Sequence, residues 1–246
     1  MKNKAFGILL LVMALIGLGI TVLRIVCYEF KHDPQYYAVD YGRFNFLSYF
    51  TIQSNLYVYF YLFCLAFAVF GLARAKPIAF HPMVRLTVMT YILVTGVVYC
   101  GGLPLGMSPP LTWGGFQNNL LTCAQVLNHM VMPVFVFLLF LFPPTNAKIN
   151  KKKLPLVAVY PLVYSVLSIP RGALIDPPFF PYPFFRPDFF WNILCRGREM
   201  NLAAAYLLMI PFVLAGVGLF PVIALGLAHL HDRCSDRLAN KEEGRA

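Results

Sequence analysis

Six runs of about twenty apolar residues, none holding an acidic side chain, leave this chain few ways to fold. A helix needs about 20 residues to cross the ~30 Å hydrocarbon core of a bilayer. It also satisfies its own backbone hydrogen bonds there, which an open strand does not. The runs are Ala5–Cys27, Leu47–Leu72, Val84–Leu103, Leu120–Phe142, Leu154–Ile169 and Leu202–Leu230. They predict an all-α polytopic membrane protein with six transmembrane helices, forming one integral-membrane domain over residues 1–246. Apolar residues make up 59% of the chain, above the roughly 45–50% usual in soluble domains, and the connections are too short for a separate soluble unit. The fifth run is the shortest and contains Pro155 and Pro161, which a membrane helix tolerates when neighbours re-satisfy the freed carbonyls. Lys2 and Lys4 precede the first run as they would in a secretory signal. That run is too long, lacks a small-x-small cleavage site and is followed by five more, so it is expected to be a first transmembrane helix.

Orientation follows from the basic residues. Lys2, Lys4, Arg74, Lys76, Arg85, Lys148, Lys151–Lys153 and the basic residues of the tail from Arg233 to Arg245 fall on one side. The other side carries Lys31, Arg43, Arg171, Arg186, Arg196 and Arg198, offset by Glu29, Asp33, Asp40, Asp176, Asp188 and Glu199. The positive-inside rule then places both termini in the cytoplasm. The net charge of +10 is mostly this topology signal. Nucleic acid is not an expected partner, since no soluble basic surface interleaved with aromatics is available; membrane lipids are. The six cysteines form no C-x-x-C motif, and no metal or cofactor site is expected. Cys27, Cys100 and Cys195 fall near the outer face, where one disulfide has room to form, although free thiols are the simpler expectation. The segment Pro177–Pro187, rich in aromatics, reads as an interfacial belt ahead of a lid over a lipid-binding cleft. The tail after His231 reads as disordered. His229, His231, Asp232 and Cys234 read as interfacial anchoring at the end of the last helix, ahead of a metal cluster.

Within the runs the polar residues fall at helical spacing. Ser48, Thr51, Asn55 and Tyr59 share one face of the second helix, and Asn118, Thr122, Gln125 and His129 share one face of the fourth. Tyr164, Ser168 and Arg171 do so on the fifth, and Tyr91, Thr95 and Tyr99 on the third. Such stripes are penalised against lipid and are expected to converge on a common interior. Arg24 and Arg171 lie near the outer ends of their helices, to snorkel outward or point into that interior. Pro133 stands four residues after His129 and cannot donate to its carbonyl, so a kink is expected beside the mid-span histidine.

A hydroxyl nucleophile needs a base within reach, and histidine is the usual one. With no carboxylate inside the spans, what remains is a dyad of Thr51 and His129, with Asn55, Gln125, Arg171 and Arg24 as groups to steady an oxyanion or position a substrate. At about 1.5 Å per residue, Thr51 lies roughly 6–10 Å and His129 roughly 13–18 Å inside the outer boundary, a gap that tilt and the kink have to close. The alternatives stay open on the same residues. His129 serves equally as a packing histidine, the Thr51 hydroxyl as a bond to its own helix, and Asn55 and Gln125 as interhelical glue.

Phe50-Thr51-Ile52-Gln53-Ser54-Asn55-Leu56 resembles the second-helix signature of the bacterial Pr6Pr membrane-protein family. Thr95-Gly96-Val97-Val98-Tyr99, Asn128-His129 with Pro133, Tyr160-Pro161-Leu162-Val163-Tyr164, Arg171-Gly172 and Tyr182-Pro183-Phe184 extend the resemblance over nearly the whole chain. That family is distantly similar to the eukaryotic androgen-induced and androgen-dependent multi-pass hydrolases. These cleave branched fatty-acid esters of hydroxy fatty acids with an intramembrane threonine and histidine. The resemblance implies a bacterial plasma-membrane protein, Thr51 as nucleophile and His129 as its partner. The expected function is therefore hydrolysis of an acyl-lipid ester in an outer-half cavity. The rival expectations are a non-catalytic membrane scaffold and, behind it, a lipid transporter.

Overall fold

The computed structural model describes residues 4–27, 43–174 and 178–243. The acidic and basic residues expected between Glu29 and Asp40, and Asp176, lie outside the described residues. Six helices among the described residues are long and apolar enough to cross a membrane, as the six apolar runs require. In chain order the elements are α1 (Lys4–Cys27), α2 (Phe50–Val69), the short α3 (Lys76–Ala79) and α4 (Pro82–Gly102). Then come α5 (Phe116–Val126) and α6 (Met132–Leu141), which form one span through a π-helical turn at Leu127–Val131. They are followed by α7 (Val159–Leu174), the short α8 (Pro187–Leu194) and α9 (Leu202–Glu243).

Helix α2 is the centre of the bundle. Of its most apolar window 67% is buried, against 28% for α1 and 22% for the last span. Helix α1 packs on α2, and its buried residues Gly7, Leu10, Ala14, Gly17, Thr21 and Arg24 are spaced by three and four. Ile8, Leu9, Leu15 and Ile16 on its other side are exposed and face hydrocarbon. Lipid tails are as apolar as leucine, so membrane helices associate by close packing of small residues rather than by hiding apolar ones. Gly17 illustrates the limit: a Cβ there would stand 2.2 Å from the Tyr59 ring. Thr21 donates its hydroxyl to the Gly17 carbonyl at 2.9 Å, so the stripe ends without an open polar group at that threonine.

The fourth span answers Pro133 by changing its hydrogen-bond period. The Met132 amide donates to the Leu127 carbonyl, closing the π turn. Gly96 of α4 fits against this irregularity, since a Cβ there would lie 2.9 Å from Pro133 Cγ and 3.0 Å from the His129 carbonyl oxygen. The fifth span starts as 3₁₀ helix over Lys151–Ala158, which absorbs Pro155 before α7 begins. It therefore runs from Lys151 to Leu174, longer at both ends than its apolar stretch suggests.

Arg85 does more than mark the basic side. Its guanidinium Nη2 donates to the carbonyls of Leu139 and Phe140 at 3.0 and 3.3 Å, satisfying the end of α6 as a cation near a helix C-terminus does. The expected disordered tail after His231 is instead helix to Glu243. Ser235 and His231 are buried, Lys148 bonds the Asp236 carboxylate and the Ile149 amide donates to Asp232 at 3.1 Å. These contacts come from the preceding loop, so no local pattern in the tail announces them. The same packing gives His231 and Asp232 structural partners.

Replacing Gly17 with valine should force α1 off Tyr59 and cost roughly 1–3 kcal/mol. Gly19, with open space at its Cβ, should accept valine with little change. Thermal unfolding in detergent of the two variants separates them.

Candidate functional site

Tyr49 caps the start of α2 without offering a side-chain acceptor, so the first amides of the helix need partners from elsewhere. Two tyrosines supply them. The Phe50 amide donates to Tyr164 Oη of α7 at 3.2 Å and the Thr51 amide donates to Tyr182 Oη at 3.0 Å. The Tyr164 hydroxyl in turn donates to the Ser48 carbonyl at 2.8 Å. Burial pushes the Tyr182 phenol up to about 12, while the neighbouring Thr51 and the Phe50 amide oppose that rise. Tyr182 is accordingly a neutral phenol at physiological pH, held beside Thr51 by the bond to its amide.

These tyrosines form one wall of a cavity of about 530 Å³, within the range of small-molecule sites. Phe50 and Thr51 of α2, Val94 and Thr95 of α4, and Pro161 and Ser165 of α7 line it. Phe184 and Phe185, Phe190 of α8, and Val213, Gly216 and Phe220 of α9 line it as well. The segment expected as an interfacial belt is thus turned inward. Phe179, Phe180 and Phe185 are buried, and Tyr182 stacks on Phe184 with centroids 5.1 Å apart. The cause is α7: a Cβ at Gly172 would meet the Phe179 carbonyl oxygen at 2.5 Å, so this glycine lets the returning chain lie on the helix.

Behind Thr51, away from the lining residues, lies a polar layer. Asn55 Nδ2 donates both to the Thr51 carbonyl at 2.8 Å and to the Asn128 carbonyl at 3.2 Å. Tyr59 donates to Asn128 Oδ1 at 2.6 Å. Among the described residues Asn55 Oδ1 and Asn128 Nδ2 are buried without a hydrogen bond, an arrangement that costs roughly 1–3 kcal/mol per group. His129 adjoins this layer. Its Nδ1 lies 3.1 Å from the Gln125 carbonyl, which accepts only, so Nδ1 carries the proton and Nε2 the lone pair. The ring stacks on Tyr99 with centroids 4.1 Å apart.

The sequence-derived candidates therefore separate into two places. Thr51 lines the cavity, whereas Asn55, Gln125 and His129 do not. The Thr51 amide donates to Tyr182, whereas His129 bonds the Gln125 carbonyl, so the two residues have different partners. Gln125 is buried and meets His129 through its backbone rather than its amide. Arg24 is buried with its guanidinium 4.2 Å from the Phe46 ring centroid, within Coulombic reach of His129 and Tyr99. Arg171 is exposed at the end of α7, 5.9 Å from the Phe179 ring. The expected convergence of all four stripes is incomplete. Asn118 is exposed and Thr122 bonds Thr112. Thr95 joins Ser54 at 2.7 Å, and the Tyr91 hydroxyl donates to the Val157 carbonyl at 2.9 Å.

Sequence reasoning missed the part played by Tyr182. Its signal was present as Tyr182-Pro183-Phe184, but nothing in local spacing says that a loop tyrosine will cap a helix 131 residues away. Cys27, Cys100 and Cys195 are free thiols. No protein-family model, no characterised protein and no solved structure matches the chain.

Tyr182→Phe removes the acceptor of the Thr51 amide and should destabilise the fold by about 1–3 kcal/mol. It should also raise hydrogen exchange at Thr51 and proteolysis near Phe184. Normal protection at Thr51 in this variant would contradict the capping role.

Proposed function

We propose that this protein binds an acyl lipid in the cavity beside Thr51 and hydrolyses its ester bond. The observation that carries the reading is the pairing of a large apolar cavity with a hydroxyl cluster, Thr51, Tyr164 and Tyr182, in one wall. In the reaction the Thr51 hydroxyl attacks the ester carbonyl and passes its proton to His129 Nε2. The alcohol leaves with that proton, and water then attacks the acyl-threonine to release the acid and restore both groups. The Nδ1–Gln125 bond supports the role of His129, because it fixes the tautomer whose Nε2 accepts a proton. The Tyr182 phenol, neutral and next to Thr51, supports oxyanion stabilisation by a donor that the sequence reading did not include. His129 has to approach Thr51 for the first proton transfer. The π turn that carries it, Leu127–Val131, is the irregular element suited to such a shift. The reading places both termini in the cytoplasm and the Thr51 end of the cavity towards the outer leaflet of a bacterial plasma membrane. It accords with the resemblance to the Pr6Pr family.

One observation favours a scaffold instead. Asn55, Asn128 and Tyr59 are engaged with one another, and His129 is stacked and hydrogen-bonded within the bundle. In that reading the polar layer only holds α2 to the π turn.

Purified protein assayed with a fluorogenic acyl ester distinguishes the two. Hydrolysis should fall about 100-fold or more in Thr51→Ala and in His129→Ala, a usual loss for a missing nucleophile or base. Thr51→Ser should retain part of it. A fluorophosphonate should label Thr51 and lose that label in His129→Ala. Equal hydrolysis in wild type and both alanine variants would reject the enzyme reading.

A further inference from the structure

Among the described residues, the cavity wall contains no charged side chain. Its polar content is hydroxyl groups, chiefly Thr51, Tyr164 and Tyr182, with the rest aliphatic and aromatic. An anionic headgroup drawn inside would lose its water without meeting a cation, which low dielectric makes costly. Arg171 points elsewhere, being exposed and set against Phe179. An ester carbonyl or an alcohol, by contrast, finds donors and acceptors at the hydroxyl wall while its chains lie on Phe and Val side chains.

The same cavity opens sideways. Val97 and Val98 of α4 line it, yet are 63% and 48% exposed, and Leu219 of α9 lines it at 57% exposed. These residues belong to membrane-crossing helices, so their exposed faces meet hydrocarbon. Between them Gly216 lines the cavity with open space where a Cβ would stand. At one edge Phe190 of α8 stacks on Phe212 of α9, centroids 4.2 Å apart and planes at 10°. A ligand resident in the bilayer therefore reaches the cavity between α4 and α9 without passing through water.

We infer that the ligand is an uncharged lipid ester, of the diacylglycerol type, which enters laterally from the bilayer between Val97 and Gly216 with its ester oxygens towards Thr51. This inference rests on the acyl-lipid reading above and adds to it the charge class of the ligand and its route.

The test uses the full-length protein in nanodiscs with photoactivatable diacylglycerol or photoactivatable phosphatidylglycerol, and maps adducts by mass spectrometry. The diacylglycerol probe should label cavity residues such as Val94 and Val213, and unlabelled diacylglycerol should compete while phosphatidylglycerol does not. Gly216→Trp, filling a large part of a cavity of this size, should lower that labelling about fivefold or more. Gly19→Trp, an equal change on the lipid face of α1 with open space at its Cβ, should leave it unchanged. Val97→Trp provides a second block from the other helix should the α9 variant fold poorly. Cavity labelling by the phosphatidylglycerol probe as strong as by diacylglycerol would overturn the inference while leaving an acyl-lipid site standing. Labelling unaffected by both tryptophans in folded protein would overturn the lateral route. Absence of any lipid adduct in the cavity would overturn both the inference and the acyl-lipid reading beneath it.

Discussion

A polar group carried into hydrocarbon must find its partner inside the protein, because no water is there to supply one. Around α2 this requirement organises the structure. The Asn55 amide reaches the carbonyls of Thr51 and Asn128 together, so one side chain joins the central helix to the π turn of the fourth span. Tyr59 extends the same joint from α2 to Asn128, while Tyr164 and Tyr182 accept from the first amides of α2. Remove this set and the helices lose their common register as well as the wall that carries Thr51.

Two kinds of packing surround α2. On one side small residues allow close approach: Gly17 against Tyr59 and Gly96 against Pro133. On the other side large aromatic rings meet edge to face. Phe50 contacts Tyr91, Tyr164 and Phe220 at centroid distances of 5.7, 5.4 and 5.7 Å. Phe50 lines the cavity together with aromatic and aliphatic side chains of the other helices, and Thr51 stands beside it in the same wall.

The helical architecture was legible because its signal is local. Run length and the absence of charge decide whether a segment crosses a bilayer, and each run carries that information by itself. That Pro133 disturbs the fourth span was legible for the same reason, although the π form of the disturbance was not, since Gly96 on another helix packs against it. The candidate site was legible only in parts. Thr51 stands in the cavity wall and His129 in the neighbouring polar layer. The 3.6-residue period gives each stripe a direction within its own helix and leaves free the rotation of that helix against its neighbours. Arg171 and Asn118 show the effect: each continues a polar stripe, yet both end exposed.

What the amino-acid order determined alone is therefore the number of membrane-crossing helices and which residues of each are polar. The tertiary structure decided which of those residues meet. It turned the Tyr182 loop inward over α2, assigned His129 to Tyr99 and Gln125, and left beside Thr51 a cavity whose described lining is apolar and hydroxyl-bearing. Periodicity and hydropathy act over one turn or one span. The rotation, tilt and close approach of helices depend on contacts between residues distant in the chain, such as Gly172 with Phe179 or Asn55 with Asn128, and these exist only once the bundle has assembled.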